Sequence, residues 1–221
     1  MMVDCSFLMG GSKLALTLRK LAEYSGDPWT PDNSYFSTAE RAFDPIWDQL
    51  IWPFIKGCNF SRVIDLAAGH GRNSTKLVKL CDTLTLMDIQ PENVSICRER
   101  FNDHRHVQAL TNSGYDLQPV EDGDTTLVYC FDAMVHFDSD VVRSYLCDTF
   151  RVLADGGRGF FHHSNYIGGD DWRLNPGSRG FMSAEFFAHY ARKEGLQLVQ
   201  QTIIDWGGVR NLDCMTLVEK S

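Results

Sequence analysis

The run Val63-Ile64-Asp65-Leu66-Ala67-Ala68-Gly69-His70-Gly71-Arg72-Asn73 constrains this chain more than any other. Arg62 to Leu66 reads as a short buried strand, an apolar run interrupted at its C-terminal end by Asp65. Two glycines one residue apart then turn the chain, and from Asn73 or Ser74 a helical period follows through Leu77, Val78, Leu80 and Cys81. A strand, a glycine turn and a helix bring backbone N–H groups close to a ligand that leaves no room for side chains. Asp65 narrows the choice of ligand. A pyrophosphate would be repelled by a carboxylate in the same dry pocket, whereas a ligand bringing positive charge to the turn would not.

Leu84 to Ile89 reads as a second strand ending in an acid, and Asp88 stands about 17 positions beyond Gly71. That spacing suits a carboxylate at the tip of the next parallel strand, facing a ribose diol. Together these residues resemble the class I S-adenosylmethionine-dependent methyltransferases, over roughly residues 60 to 165. Asp65 to Gly71 is similar to that family's first motif, and Asp88 to its ribose-binding acid. The resemblance implies S-adenosyl-L-methionine as cofactor, held by Asp65, Ala67, Gly69, Gly71, Arg72, Asp88 and Ile89. It further assigns the adenine segment to Asn112 and Leu117, with Asp116 as the competing acid, and the methionine side to Phe131.

Composition sets outer bounds. The chain has 221 residues, enough for one α/β domain with a helical extension, and 43% of them are hydrophobic, enough for a proper core. A net charge of −8 argues against a nonspecific nucleic-acid binder. Seven scattered cysteines without a C-x-x-C pair read as reduced, buried thiols of a cytoplasmic protein. No apolar run approaches the ~18 residues of a membrane span. The expected partner is a small-molecule acceptor, with a homodimer as the assembly left open.

Residues 1–58 are expected to form a helical lid or extension and 59–221 the cofactor domain. An amphipathic helix over 12–24 carries Leu14, Leu18, Leu21 and Ala22, capped by Ser12. Ser37 and Glu40 form a capping box for the next helix, which Asp44-Pro45 restarts. Tyr35, Phe36, Trp47 and Trp52 of this region either cover the cofactor or pack on the sheet; Tyr35 and Trp47 are the substrate candidates. Further strands are expected at His106–Leu110, Thr126–Phe131, Gly159–His163, Leu196–Trp206 and Cys214–Glu219. A helix of Val141 to Leu153 is expected to end at Gly156-Gly157, and another to begin at Ser183. The short Gly-Gly loop before residue 209 can only make an antiparallel pair. The fold predicted is therefore α/β: a doubly wound, mostly parallel seven-stranded sheet with one antiparallel strand and helices on both faces, Rossmann-like.

Two adjacent histidines, His162 and His163, stand at the end of the fifth strand, and a strand sends them to opposite faces. His163, nearer the tip, is the preferred general base, with Asp132 or His136 orienting it or the substrate. A base suits an O-methyl acceptor, since a hydroxyl is a poor nucleophile until its proton leaves. His162-His163-Ser164-Asn165 and Met182-Ser183-Ala184-Glu185 look similar to small-molecule methyltransferases of carbohydrate and natural-product pathways. Arg173 and Arg179, in the 13-residue loop Gly168 to Gly180, either hold an acidic group of the acceptor or are solvated loop charges. A metal on His162 or His163 with Asp132 or Asp170 lacks any recognisable ligand spacing, and none is expected. The alternatives are N-methylation of a small molecule, a non-catalytic S-adenosylmethionine-binding protein, and a nicotinamide oxidoreductase. Against the last, Ser74 replaces the third glycine of G-x-G-x-x-G.

Overall fold

The computed structural model describes residues 11–168 and 178–221. Its elements in chain order are α1 (Gly11–Gly26), α2 (Tyr35–Arg41), α3 (Phe43–Ile46), a π-helical turn (Trp47–Ile51), α4 (Trp52–Ile55), β1 (Arg62–Leu66), α5 (Ser74–Leu77), β2 (Thr83–Asp88), α6 (Pro91–Arg100), β3 (Val107–Thr111) and β4 (Thr125–Cys130). After a 3-10 turn (Met134–His136) come α7 (Ser139–Val152), β5 (Leu153–Ser164), α8 (Ala184–Lys193), β6 (Leu196–Trp206) and β7 (Val209–Lys220).

The strands form one seven-stranded sheet in the order β3-β2-β1-β4-β5-β7-β6. Neighbours from β3 to β5 run parallel, and β7 lies antiparallel between β5 and β6. This is the doubly wound sheet expected from the strand–helix alternation, with its one reversed strand second from the edge. Gly207 and Gly208 both have positive φ (57° and 81°), the conformation a two-residue hairpin turn requires. The order reverses between β1 and β4, and in such sheets ligands bind at the strand tips beside that switch.

Alternation along β1 and β4 divides the core in two. Val63, Leu127, Tyr129 and Phe160 face a layer made by Phe43, Trp47, Ile51 and α6. Ile64, Leu66, Val128, Cys130 and Phe161 face α1, α7 and α8 on the other side. Both layers bury nearly continuous apolar strands, as a parallel sheet demands. Pro53 stands two residues after the end of the π-helical turn, as the second residue of α4. Lacking an N–H, it cannot continue the regular ladder, and the widened turn before it absorbs the mismatch.

Several local expectations are corrected. Ser37 lies inside α2 and donates to the Ser34 carbonyl at 3.1 Å. The entry to α2 is instead held by Asn33, whose Oδ1 accepts the Tyr35 N–H at 2.9 Å. The helix after the glycine turn is a single turn, and Leu80 is exposed. Helix α7 ends at Val152, not at Gly156-Gly157: Leu153 is fully buried and pairs with Thr125 as the first residue of β5. One apolar residue fits the end of a helical stripe and the start of a buried strand equally well. Strand β7 begins five residues earlier than Cys214, because the tight hairpin lets pairing start at Val209. The expected Ser12 cap and Leu14 contact lie outside the described side chains.

Candidate functional site

A cleft of roughly 910 Å³ opens over the carboxyl ends of β1, β2 and β4. Its floor is the bend after β1. Ala67, Gly69 and Gly71 there have φ of 55°, 54° and 77°. Positive φ suits glycine, and for Ala67 it is strain that the surroundings must impose. A Cβ on Gly69 would stand 2.7 Å from a ring carbon of Phe36, and one on Gly71 2.6 Å from a ring carbon of Phe101. The second glycine therefore serves packing beneath the loop; Gly71 does not line the cleft, contrary to expectation.

Asp88, at the tip of β2, lines the cleft and ties the bend in place. Its Oδ2 accepts the backbone N–H of Gly69 at 2.8 Å, and its Oδ1 accepts from the Gln90 N–H at 2.9 Å and from Asn93 Nδ2 at 3.3 Å. Burial raises its pKa, and those donors oppose the rise. A carboxylate offers about four acceptor positions, so capacity remains toward the cleft.

Asp65 lies beneath the bend and does not line the cleft. It is buried, with Oδ2 accepting from Ser74 Oγ at 2.5 Å and Oδ1 without a hydrogen-bond partner. Burial pushes its pKa up to about 7, against the Ser74 hydrogen bond and the Arg72 charge. An orphaned buried carboxylate oxygen under a positive-φ bend suits a cationic ligand above it, by field and not by contact.

Arg72, Asp132 and Tyr35 meet on one wall of the cleft. Arg72 Nη2 stands 3.1 Å from Asp132 Oδ2 and 3.3 Å from the Tyr35 hydroxyl, which also donates to Asp132. Burial and the Asp132 charge push the Tyr35 phenol up. Asp132, two residues beyond the end of β4, has φ of 62°. The roof comes from the connection after α1 and from α2: Trp29 accepts from Asn93 Nδ2 through its carbonyl at 3.0 Å, and Phe36 stacks on His70 at 3.8 Å. At the far end Asn112 donates to the Tyr145 hydroxyl at 3.1 Å. Ala67, Ile89, Asn112 and Phe131 all line the cleft, as does Tyr35. Trp29, His70, Asn93 and Tyr145 line it too and had no signal in the sequence beyond residue type.

The histidine pair is not in the cleft. His163 is buried on the α8 side, its ring stacked on Phe187 at 3.9 Å and its Nε2 2.9 Å from Thr216 Oγ1. Burial lowers its pKa to about 3, which disqualifies it as the base at neutral pH. His162 is equally buried on the opposite face, against Phe131 at 4.6 Å and Trp206 at 4.8 Å. Its Nδ1 accepts the backbone N–H of Asp132 at 3.2 Å, and its Nε2 lies 3.2 Å from Asp213 Oδ2. A strand covered on both faces buries both alternating positions, even at its tip. His136 sits behind Trp29, with Nδ1 3.0 Å from the Ser178 carbonyl, and does not line the cleft. Of the catalytic candidates, Asp132 alone does.

Three further expectations change. Trp47 is a core residue against Tyr129 and Trp52, away from the cleft. Leu117 is fully buried among apolar neighbours and does not line the cleft. Arg179 is engaged in a two-pronged pair with Asp213, at 2.8 and 2.7 Å. Arg173 lies outside the described residues. No group of three metal-ligating side chains occurs among the described residues, nor a helix long and apolar enough to cross a membrane.

Residues 63–157 match a family model described as a methyltransferase domain. Over that span the chain is similar to methyltransferase domains. Solved structures share the fold at low sequence identity. Geranyl diphosphate C-methyltransferase from Streptomyces coelicolor A3(2), solved with Mg2+, geranyl diphosphate and S-adenosyl-L-homocysteine, aligns with a TM-score of 0.67 at 11% identity, over 92% of this chain and 98% of its own. The Haloferax volcanii protein solved in complex with the Trm112 methyltransferase activator gives 0.66 at 17% identity, over 89% and 97%. A TehB-like S-adenosylmethionine-dependent methyltransferase from Corynebacterium glutamicum gives 0.61 at 17%, over 84% and 94%. No curated protein matches the sequence.

Proposed function

We infer that this methyltransferase transfers a methyl group to a small-molecule acceptor seated beside Asp132, with an amine as the nucleophile. The observation carrying the choice of nucleophile is the position of the charged groups. An O-acceptor was expected on the strength of a histidine base, and His162 and His163 are both enclosed in the core. Asp132 is left as the carboxylate beside the aromatic wall of Tyr35 and Phe131.

The residues fit the cofactor. Gly69 and Ala67 bring the backbone close to the cleft floor without a bulky side chain, Asp88 offers acceptor capacity to a diol, and the orphaned Asp65 oxygen favours positive charge above it. S-adenosylmethionine, when bound, supplies a methyl carbon activated by a sulfonium. An attacking amine forms a C–N bond as the C–S bond breaks, and positive charge passes to nitrogen. A carboxylate at that place stabilises the charge as it appears, and the aromatic faces add cation–π attraction. The new ammonium then gives its proton to Asp132 or to water. A hydroxyl would need its proton removed first, a step worth about 10²–10⁴ in rate to a well-matched base.

The test is transfer of labelled methyl from S-adenosylmethionine onto separate pools of small amines and small alcohols or sugars. Label in the amine pool, lost in Asp132→Asn, supports the reading. Label in the hydroxyl pool alone overturns the choice of nucleophile. Tight S-adenosylhomocysteine binding without label in any pool would favour a cofactor-binding protein without turnover.

A further inference from the structure

Asp132 has a φ of 62°, in the left-handed region that non-glycine residues seldom occupy, and it lines the cleft. The constraint is a line of side chains running through the core behind it. Arg179 grips Asp213 with two hydrogen bonds, of 2.8 and 2.7 Å, although Asp213 is fully buried. Burial raises the pKa of Asp213, but the His162 and Arg179 partners outweigh it and the carboxylate stays ionised. Its Oδ2 lies 3.2 Å from His162 Nε2, a charge contact without hydrogen-bond alignment. A carboxylate that close favours the proton of His162 on Nε2 by its field. That leaves Nδ1 bare, and Nδ1 is the atom that accepts the Asp132 N–H at 3.2 Å. The strands fix this arrangement, since His162 pairs with Met215 in β5–β7 register, two residues from Asp213.

We propose that Arg179, Asp213 and His162 are positioning residues for Asp132: Asp213 sets the tautomer of His162, and bare Nδ1 holds the Asp132 backbone in its left-handed turn. The proposal rests on the reading that Asp132 faces the acceptor, and it adds a function for three residues that never reach the cleft. The side chain so aimed also meets Arg72, so the same line fixes the ion pair on the cleft wall. An imidazole in the other tautomer would set an N–H against an N–H, and the turn at 132 would open. Displacement of a catalytic group by about 1 Å can cost about 100-fold in rate.

Three measurements on the intact chain decide it. The first is the nitrogen NMR spectrum of His162, assigned with His162→Asn, which separates the protonated from the bare ring nitrogen. The proposal requires bare Nδ1 in the native chain and protonated Nδ1 in Asp213→Asn, where the amide can donate to Nε2. The second is methyl transfer: Asp213→Asn and His162→Leu lower kcat by about 100-fold, with S-adenosylhomocysteine affinity within about twofold of native, within the range of a negligible energy difference. The third is rescue: His162→Asn places an amide oxygen where Nδ1 stood, accepts the Asp132 N–H, and recovers most of the rate lost in His162→Leu. Native Nδ1 carrying the proton, an unchanged tautomer in Asp213→Asn, or equal rates in the Asn and Leu variants would overturn the proposal. If the native chain binds S-adenosylhomocysteine but methylates nothing, the acceptor reading fails, and the tautomer measurement still decides the positioning claim. Should Asp213→Asn not fold, the His162 pair carries the test.

Discussion

Oδ2 of Asp88 accepts the backbone N–H of Gly69 at 2.8 Å, so the tip of β2 holds the bend that follows β1. One carboxylate thereby shapes the floor of the cleft and presents its remaining lone pairs to whatever lies above. The two strands are in register, Leu66 beside Met87, which brings the tip and the bend to the same height.

Replacing Asp88 with Ala removes the tie to Gly69 and, on the proposed reading, the acceptor offered to the cofactor. Hydrogen bonds to charged groups contribute about 1.5–3 kcal/mol. S-adenosylhomocysteine affinity should therefore fall by about 10- to 150-fold, read by calorimetry. An affinity within twofold of native would remove Asp88 from the site.

Gly69→Ala meets two obstacles, a φ of 54° and a Cβ only 2.7 Å from the Phe36 ring. The backbone term alone costs about 1–2 kcal/mol. The ring of Phe36, stacked on His70, would have to leave the roof. A lower melting temperature and weaker S-adenosylhomocysteine binding are expected together. Gly71→Ala pushes on Phe101 instead and should lower stability with less effect on binding, as that glycine lies under the loop.

Asp65 links folding to pH. Its pKa is raised to about 7 in the folded chain, chiefly by burial, with Ser74 and Arg72 opposing and Asp88 adding to the rise. The neighbouring Cys97 and Tyr129 are held neutral by the same burial and by the Asp65 charge. Between the ordinary carboxylate range and pH 7 the folded chain binds more protons than the unfolded one at this site. Stability from Asp65 therefore falls as pH rises through that window, by up to about 4 kcal/mol. Asp65→Asn should flatten this slope in denaturant titrations from pH 4 to 8. A cation bound above the bend would draw the proton off, so S-adenosylmethionine binding at pH 6 should release protons, seen as a buffer-dependent calorimetric enthalpy. An unchanged pH slope in Asp65→Asn would contradict the assignment.

His163→Ala deletes a ring stacked on Phe187 inside the core, and should cost about 3–5 kcal/mol of stability, as large-to-small aromatic truncations do. The protein that remains folded should keep its methyl-transfer kcat within about threefold, a difference of well under 1 kcal/mol in barrier. A selective loss of kcat with unchanged melting temperature would restore His163 as a catalytic group.

The sheet was legible because its strands are apolar runs bounded by turn residues, and because Gly207-Gly208 permits only a hairpin. The place of Gly69, Asp88 and Asn112 along the cleft was legible for a related reason: they stand near strand tips, and tips are fixed by chain order. What failed was orientation across the sheet. His162 and His163 follow the alternation rule, yet α8 covers one face and Trp206 of β6 the other, so neither side of β5 is open there. No local pattern announces which faces later elements will cover. Trp47 failed similarly, because an aromatic on an amphipathic stripe looks the same whether it roofs a cleft or fills a core. Ser37 and Glu40 fit the capping motif, yet Ser37 lies inside α2, and the entry is held by the Tyr35 N–H donating to Asn33 Oδ1.

The most direct test of the account is a calorimetric titration of the native chain with S-adenosylhomocysteine and, in parallel, with nicotinamide dinucleotides. Saturable one-site binding of S-adenosylhomocysteine, with no heat from the dinucleotides, is the result predicted for a cleft that carries Asp65 beneath its bend. Dinucleotide binding that S-adenosylhomocysteine fails to displace would contradict it.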